Sequence, residues 1–411
     1  MISNKNIKFN NRDRYNNISL WYLIKTFLKI GSTSFGGFMS LISIVQKQVV
    51  EKDKVIKNED VLDGISLATI LPGPVAVNVV TYIGYKLRGF IGAIVSMVAI
   101  ILPSFILMIV LSYFYFKYGK MLIIEKFFLG IFPCIIAIIL SVSIDMGKKS
   151  IKDFKQLIIC IISAVSLIFF SGYLTTLIII FIAGLIGYFL YKKDFKLNSS
   201  EHIYLKKSKT EIFKILIPVF LLILIFIFFL ISPKFGFGDQ SKLVSLFTTF
   251  GGMGVTLLGG GYVFIPMIHD LVVTNLGWLN NKEFADSIAL GQITPGPIMI
   301  SSTFIGYKLM KFWGAVVATI GMFGMPGLLM IVCSKYYLII NKSQIVGASL
   351  KGIRVAVIGM ILSATYVLIV SVEINILTIA IFLSVFLLSL WKKIDAVFLV
   401  LLSGIAGFLF G

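Results

Sequence analysis

Charge is scarce in this chain. Only 13% of its 411 residues are Asp, Glu, Lys or Arg, against 58% hydrophobic. A soluble domain carries roughly a quarter charged residues, so this composition excludes an ordinary water-soluble fold. Histidine is nearly absent, with His202 and His269 far apart in sequence and near no acidic pair. That leaves little for a metal site or an acid–base centre. The three cysteines, Cys134, Cys160 and Cys333, lie singly in apolar runs, which excludes a disulfide framework and any metal-ligand spacing. A short apolar segment followed by a small-residue cleavage site is also missing at the start, so no signal peptide is read.

What the chain has instead is length of hydrophobic run. Phe90–Phe116, Ile212–Ile231 and Phe312–Val332 are each long enough to cross a hydrocarbon core of about 30 Å. The formal charge of +19, from 37 Lys+Arg against 18 Asp+Glu, would suggest nucleic acid in a soluble protein. Here the basic residues sit in loops between apolar runs, as cytoplasmic loops of membrane proteins do, and nucleic acid is not an expected partner.

The organising feature is a duplication. Leu71-Pro72-Gly73-Pro74 returns as Thr294-Pro295-Gly296-Pro297, and Ile83-Gly84-Tyr85-Lys86-Leu87 returns as Ile305-Gly306-Tyr307-Lys308-Leu309. The offset from Pro72 to Pro295 exceeds that from Gly84 to Gly306 by a single position, so the halves keep register across more than half of the chain. A Pro-Gly-Pro run cannot continue a helix, because proline lacks the donor N–H and glycine is free to leave helical geometry. Each copy therefore breaks an apolar segment. Each is preceded by a glycine-rich interruption, Ser34 to Gly36-Gly37 in the first half and Gly259-Gly260-Gly261 in the second.

Four unbroken spans follow the first broken pair, at about 89–116, 121–144, 154–171 and 174–191, with Lys148-Lys149-Ser150-Ile151-Lys152 as a loop. A basic linker and one unpaired span, Ile212–Ile231, come next. The second half repeats the pattern: a broken pair at Leu243–Ile268 and Phe284–Tyr307, then spans at about 312–336, 345–370, 374–391 and 394–410. The odd span turns the second half upside down. The expected fold is thus an all-α polytopic membrane protein of two inverted repeats with broken or re-entrant helices, about thirteen membrane segments in all. Its parts are a cytoplasmic tail (1–20), a first repeat (21–191), a linker with the inverting span (192–240) and a second repeat (241–411). Lys5, Lys8, Arg12 and Arg14 put the N-terminus in the cytoplasm.

Inverted repeats with discontinuous helices are the architecture of secondary transporters, whose substrates bind where the breaks meet. A half-helix starting after Pro-Gly-Pro presents unpaired N–H groups and the positive end of its dipole, a ready anion site. The expected substrate-binding set is Ser34, Gly36, Gly37, Pro72, Gly73, Pro74 and Asn78 from the first half. From the second it is Gly259, Gly260, Gly261, Gln292, Thr294, Pro295, Gly296, Pro297 and Ser301. Lys86, Arg88 and Lys308 are the cations that would guide an anion, and Asp63, Asp145 and Asp286 the acids available for proton coupling. Packing is the competing explanation for Gly and Pro in membrane helices. It does not account for two matched copies each paired with a glycine cluster.

At these residues the sequence resembles the chromate transporter family in its two-domain form. Three blocks carry the likeness: Leu28–Gly37 with Leu71–Leu87, Gly259-Gly260-Gly261-Tyr262 running to Ile265-Pro266, and Trp278 through Pro297. It departs from the family pattern at Asn78, where many members have glutamine, and at Phe38-Met39 after the first Gly-Gly. The resemblance implies a multi-pass plasma-membrane protein that exports chromate, driven by the proton gradient, without redox chemistry or a cofactor. Its partners would be a small inorganic anion, the lipid bilayer and a second copy of the chain in a homodimer. A carrier of another anion such as sulfate or an organic acid stands as the alternative, and a membrane-embedded lipid enzyme as the remote one. Replacing Pro72, Gly73 or Gly296 by alanine is expected to abolish transport and leave the protein level intact.

Overall fold

In a computed structural model the described residues are 18–34, 37–118, 122–170, 173–192, 241–257, 264–334, 344–370, 372, 374–391, 394 and 396–411. They are helical almost throughout, with no strand among them. The expected inverting span Ile212–Ile231, the tail up to Asn17, His202, Lys120 and Lys392-Lys393 lie outside the described residues.

The first repeat begins with α1 (Leu20–Thr33), α2 (Gly37–Gln46), which continues as a π-helical turn (Lys47–Lys52), and α3 (Asn58–Ile70). Then come α4 (Val75–Tyr118), α5 (Leu122–Ser150), α6 (Phe154–Phe169) and α7 (Tyr173–Tyr191). The second contains α8 (Ser241–Thr256), α9 (Phe264–Ile268) with a π-helical turn (His269–Asn275), and α10 (Asn281–Ile293). A 3₁₀ turn (Ile298–Ile300) leads into α11 (Ser301–Thr319), a π turn (Ile320–Gly324), α12 (Met325–Ser334), α13 (Gln344–Val370), α14 (Ile376–Trp391) and α15 (Ala396–Phe410). Val75–Tyr118, Lys126–Ser150, Ile298–Ser334 and Ile345–Val370 are long and apolar enough to cross a membrane, and four shorter apolar helices accompany them. The chain is an all-α polytopic membrane protein. One expected boundary moves: α5 runs on through Lys148 and Lys149 to Ser150, its last turns carrying the i,i+4 pair Asp145–Lys149 (2.5 Å).

The broken segments turn back rather than cross. Tyr22, in the first turn of α1, donates its hydroxyl to Asp53 just beyond α2 (2.5 Å), so both ends of that segment lie on one side. Asp60 at the start of α3 pairs with Lys86 near the end of the first arm of α4 (3.1 Å). The second repeat reproduces this: Glu283 in the first turn of α10 pairs with Lys308 of α11 (2.6 Å). Glu283 follows Asp60 at the same offset as Pro295 follows Pro72, and Lys308 follows Lys86 as Gly306 follows Gly84. One clamp has thus been duplicated with the hairpin it closes. Both clamps are about one-third exposed on the lysine side, so each contributes on the order of 1 kcal/mol. In a double-mutant cycle, neutralising Lys86 or Asp60 alone should lower the melting temperature. The charge-swapped pair Lys86→Asp/Asp60→Lys should recover most of that loss.

Each hairpin ends in the same sharp elbow. Inside α4 the backbone leaves helical geometry at Arg88 (φ −143°, ψ 22°) and Gly89 (φ 63°, ψ −149°). Inside α11 it does so at Met310 (φ −139°, ψ 28°) and Lys311 (φ 51°, ψ −138°). Lys311 thus occupies a region that only glycine visits without strain, at a cost of about 1–3 kcal/mol. Lys311→Gly should raise the thermal midpoint in detergent, and Gly89→Ala should lower it, although nothing lies within 4 Å of the added methyl.

The one-residue slip in the duplication also has a physical form. Between the second Pro-Gly-Pro and Ile305 the chain starts as a 3₁₀ turn, whereas α4 is α-helical from Val75. A 3₁₀ residue rises about 2.0 Å and an α residue about 1.5 Å, so eight residues with three in 3₁₀ cover about 13.5 Å, as nine α residues do. The residue regained later sits in the π turn Ile320–Gly324, between the pairs Ile100/Met322 and Pro103/Pro326.

The two repeats interlock. Helix α5 packs on α14 and α15, and its counterpart α13 packs on α6 and α7. Glycines allow the close approach: a Cβ on Gly130 would lie 1.9 Å from the Ser403 carbonyl, and one on Gly352 2.1 Å from the Ala183 carbonyl. Gly187 meets Ala348 and Gly352 meets Ala183, so α13 runs antiparallel to α7. With short connections through α6, α5 runs parallel to α7. Helix α13 therefore opposes its own counterpart α5, and the repeats are inverted.

Candidate functional site

The hairpin tips meet each other's repeat. Gly73, at the first Pro-Gly-Pro, has φ +106° and donates its N–H to the Leu257 carbonyl at the end of α8 (2.8 Å). Gly296 has φ +112° and donates to the Ser34 carbonyl at the end of α1 (2.8 Å). Each carbonyl is one left over at a broken helix end, so each bond fills a vacancy that the break itself created. The reciprocity continues in the side chains. A Cβ on Gly73 would fall 2.4 Å from Pro326 Cβ, and one on Gly296 2.6 Å from Ser104 Oγ, where Pro326 and Ser104 belong to the opposite repeat. The Ser104 hydroxyl donates to the Pro295 carbonyl, a contact that no spacing in the sequence announced.

These bonds revise one expectation about the tips. The glycine N–H groups of the two Pro-Gly-Pro runs face carbonyls, so the donors left over at each tip are those of the next residues. With Asn78 N–H bonded to the Pro74 carbonyl (2.9 Å), the first-turn N–H groups of Val75, Ala76 and Val77 have no intrahelical acceptor. Pro72, Pro74 and Asn78 are buried there, and Asn78 donates Nδ2 to the Pro72 carbonyl (3.0 Å) while its buried Oδ1 has no hydrogen-bond partner among the described residues. In the second tip Thr294 donates to the Gly291 carbonyl (2.9 Å) and Ser301 to the Ser287 and Ile298 carbonyls (both 2.8 Å). The buried hydroxyl of Ser302 is left without a partner among the described residues. Gln292 is half-buried, and Pro295 and Pro297 are buried. Gly36, Gly259, Gly260 and Gly261 lie outside the described residues, and Gly37 opens α2.

The cations named from sequence are elsewhere. Lys86 and Lys308 are ion-paired at the hairpin bases. Lys86 stands eleven residues beyond Val75, about 16 Å along the helix. Arg88 is exposed at the α4 elbow. Of the acids, Asp145 is paired at the exposed end of α5 and Asp63 is half-buried. Asp286, the counterpart of Asp63, is only 2% exposed. It accepts the Tyr115 hydroxyl (2.6 Å) from the other repeat. The charges beside it, Lys282 and Glu283, are of opposite sign. Tyr115 is held by edge contacts with Phe128 and Phe304 (5.2 and 5.1 Å). The sequence offered Asp286 as one acid among three and gave no sign of its partner.

Inverted repeats whose hairpin tips each seat against the opposite repeat are an architecture found in membrane transporters. The chain belongs to the chromate transporter family, whose profile matches residues 21–188 and 244–408. It is 31% identical over 407 residues to an uncharacterized transporter of Methanocaldococcus jannaschii, covering 99% of this chain and 98% of the other. It is 29% identical to a probable chromate transport protein of Synechococcus elongatus (95% and 96% covered) and 29% identical to a chromate transport protein of Cupriavidus metallidurans (85% and 82%). No solved structure matches the chain.

Proposed function

We propose that the protein is a secondary active transporter that exports chromate across the plasma membrane, with the oxyanion held between the two Pro-Gly-Pro tips. The observation that carries this reading is the reciprocal pair of cross-repeat bonds, Gly73 to Leu257 and Gly296 to Ser34. Each seats a half-helix start against the opposite repeat, and a helix dipole favours an anion by about 0.3–1 kcal/mol, and up to about 2 when partly buried. The orphaned Ser302 hydroxyl lies on the second of those half-helices and calls for a ligand or water, whereas the orphaned Asn78 Oδ1 on the first is an acceptor that a water would satisfy. The hydroxyl can donate to an oxyanion oxygen, and so can the Asn78 amide once its Nδ2 leaves Pro72.

In this reading Lys86 and Lys308 hold the hairpins shut at their bases and do not touch the anion. Asp286 is the coupling acid. Its bond to Tyr115 joins the repeats, and a charge-assisted bond is stronger than a neutral one, so protonation loosens the contact and shifts which way the hairpins face. The family name and the chromate transport protein of Cupriavidus metallidurans favour chromate over sulfate or an organic acid as cargo. Uptake of labelled chromate into everted vesicles, with sulfate, molybdate and a carboxylate as competitors, tests the whole. Uptake that sulfate or a carboxylate suppresses at lower concentration than unlabelled chromate does would reassign the cargo.

A further inference from the structure

A second polar site lies far from the hairpin tips. A cavity of about 360 Å³ opens where the α5–α6 corner, the end of α7 and the first turns of α13 come together, and Lys152, Lys351 and Arg354 line it. The one carboxylate in its wall, Asp153, is already engaged: it accepts the Tyr191 hydroxyl at both oxygens (2.9 Å each), and Oδ1 also caps α6 at the Gln156 N–H (2.8 Å). Gln156 in turn accepts the Lys152 backbone N–H (2.6 Å). Neither the Lys152 ammonium nor the Arg354 guanidinium has an acid partner among the described residues. Lys351 lies over the Tyr191 ring (5.3 Å).

The duplication supplies an internal control. The same corner exists on the opposite face of the molecule, where Asn375 takes the place of Asp153 and caps α14 at the Thr378 N–H (2.8 Å). There Lys152 is replaced by Ile374, Lys351 by Leu129, Arg354 by Phe132 and Tyr191 by Gly411. The interlocked fold therefore does not require these cations, since its pseudo-two-fold-related corner does without them. Their level is also informative. The α5–α6 corner is a turn between two apolar helices, so the cavity lies at the membrane–water boundary, where lipid phosphates are.

From this geometry we infer a binding site for a tetrahedral oxyanion, the phosphate of an anionic phospholipid, wedged between helices of the two repeats. Basic pockets between membrane helices recognise such headgroups. The acyl chains would lie against the apolar flanks of α6 and α7, where Leu157, Ile161 and Phe181 are exposed. The alternative source of the same chemistry is a free oxyanion in solution.

The test is native mass spectrometry of the full-length protein with phosphatidylglycerol or phosphatidylcholine added. Phosphatidylglycerol should be retained in preference. Lys152→Gln/Arg354→Gln should reduce its retention about 25-fold, or about fivefold for each charge removed. Lys155→Gln, which removes an exposed charge on the same face outside the cavity, should leave retention unchanged. Lys152→Arg/Arg354→Lys should restore it, which separates lost charge from lost fold. Equal retention by the double variant and the wild type, or an equal loss in Lys155→Gln, overturns the site. Displacement of bound phosphatidylglycerol by millimolar sulfate, with sulfate binding lost in the double variant, assigns the cavity to a free solute and overturns the lipid reading.

Discussion

Gly73→Ala is expected to abolish chromate transport and to lower the yield of folded protein as well. Two costs combine. At φ +106° an alanine is strained by about 1–3 kcal/mol, and its methyl would overlap the Pro326 ring, which cannot rotate away. Several kcal/mol is a large share of a stability of about 5–15 kcal/mol. The expectation that protein level would be untouched therefore changes for this position. Gly296→Ala differs in kind. Its methyl meets a serine hydroxyl, which can turn aside at the expense of the bond to Pro295. Transport should fall at least tenfold with a smaller loss of folded protein than Gly73→Ala, since the strain at φ +112° remains but the clash can relax; Gly296→Ala/Ser104→Ala should relieve the clash without restoring activity. Chromate uptake in vesicles, normalised to folded protein by size-exclusion chromatography, separates the two effects. Normal uptake by well-folded Gly73→Ala protein would remove the tips from the transport path.

The second large effect is at Asp286. Asn has the same shape and can still accept the Tyr115 hydroxyl, but it cannot titrate. Chromate accumulation by Asp286→Asn should no longer respond to an imposed proton gradient, while exchange of labelled for unlabelled chromate continues. Tyr115→Phe should do the reverse. It removes a hydrogen bond to a charged group, worth about 1.5–3 kcal/mol, and slows transport at every pH while leaving the response to the gradient. Asp63→Asn, at the half-buried counterpart, should be mild. Full stimulation by the gradient in Asp286→Asn would move coupling to another group.

Much of this architecture was legible in the residues. Pro72-Gly73-Pro74 and its copy cannot be helix interior, and the inversion expected of the duplicated halves appears where α13 opposes α5, while the span proposed to cause it lies outside the described residues. That the breaks turn back was less visible, yet a trace existed. Asp60 with Lys86 and Glu283 with Lys308 keep nearly the same spacing in both halves, which is what a duplicated clamp requires. The use made of Gly73 and Gly296 could not be read locally. Their acceptors, at Leu257 and Ser34, belong to the opposite repeat and are main-chain atoms, which leave no side-chain signature. Ser104 and Tyr115 were hidden for a related reason. A hydroxyl in an apolar helix looks the same whether it bonds its own turn, as Ser112 does to Met108 (2.7 Å), or reaches another repeat.

The exchange of helices between halves bears on how the protein is made. Helix α5 leaves the ribosome with more than half of the chain still to be synthesised, including α14 and also α15, whose backbone it meets at Gly130. Until then its glycine-lined face has only lipid or an insertion chaperone to rest against. Biogenesis of this chain must therefore hold a half-built bundle in the bilayer, and this part of the core closes only when α14 and α15 arrive.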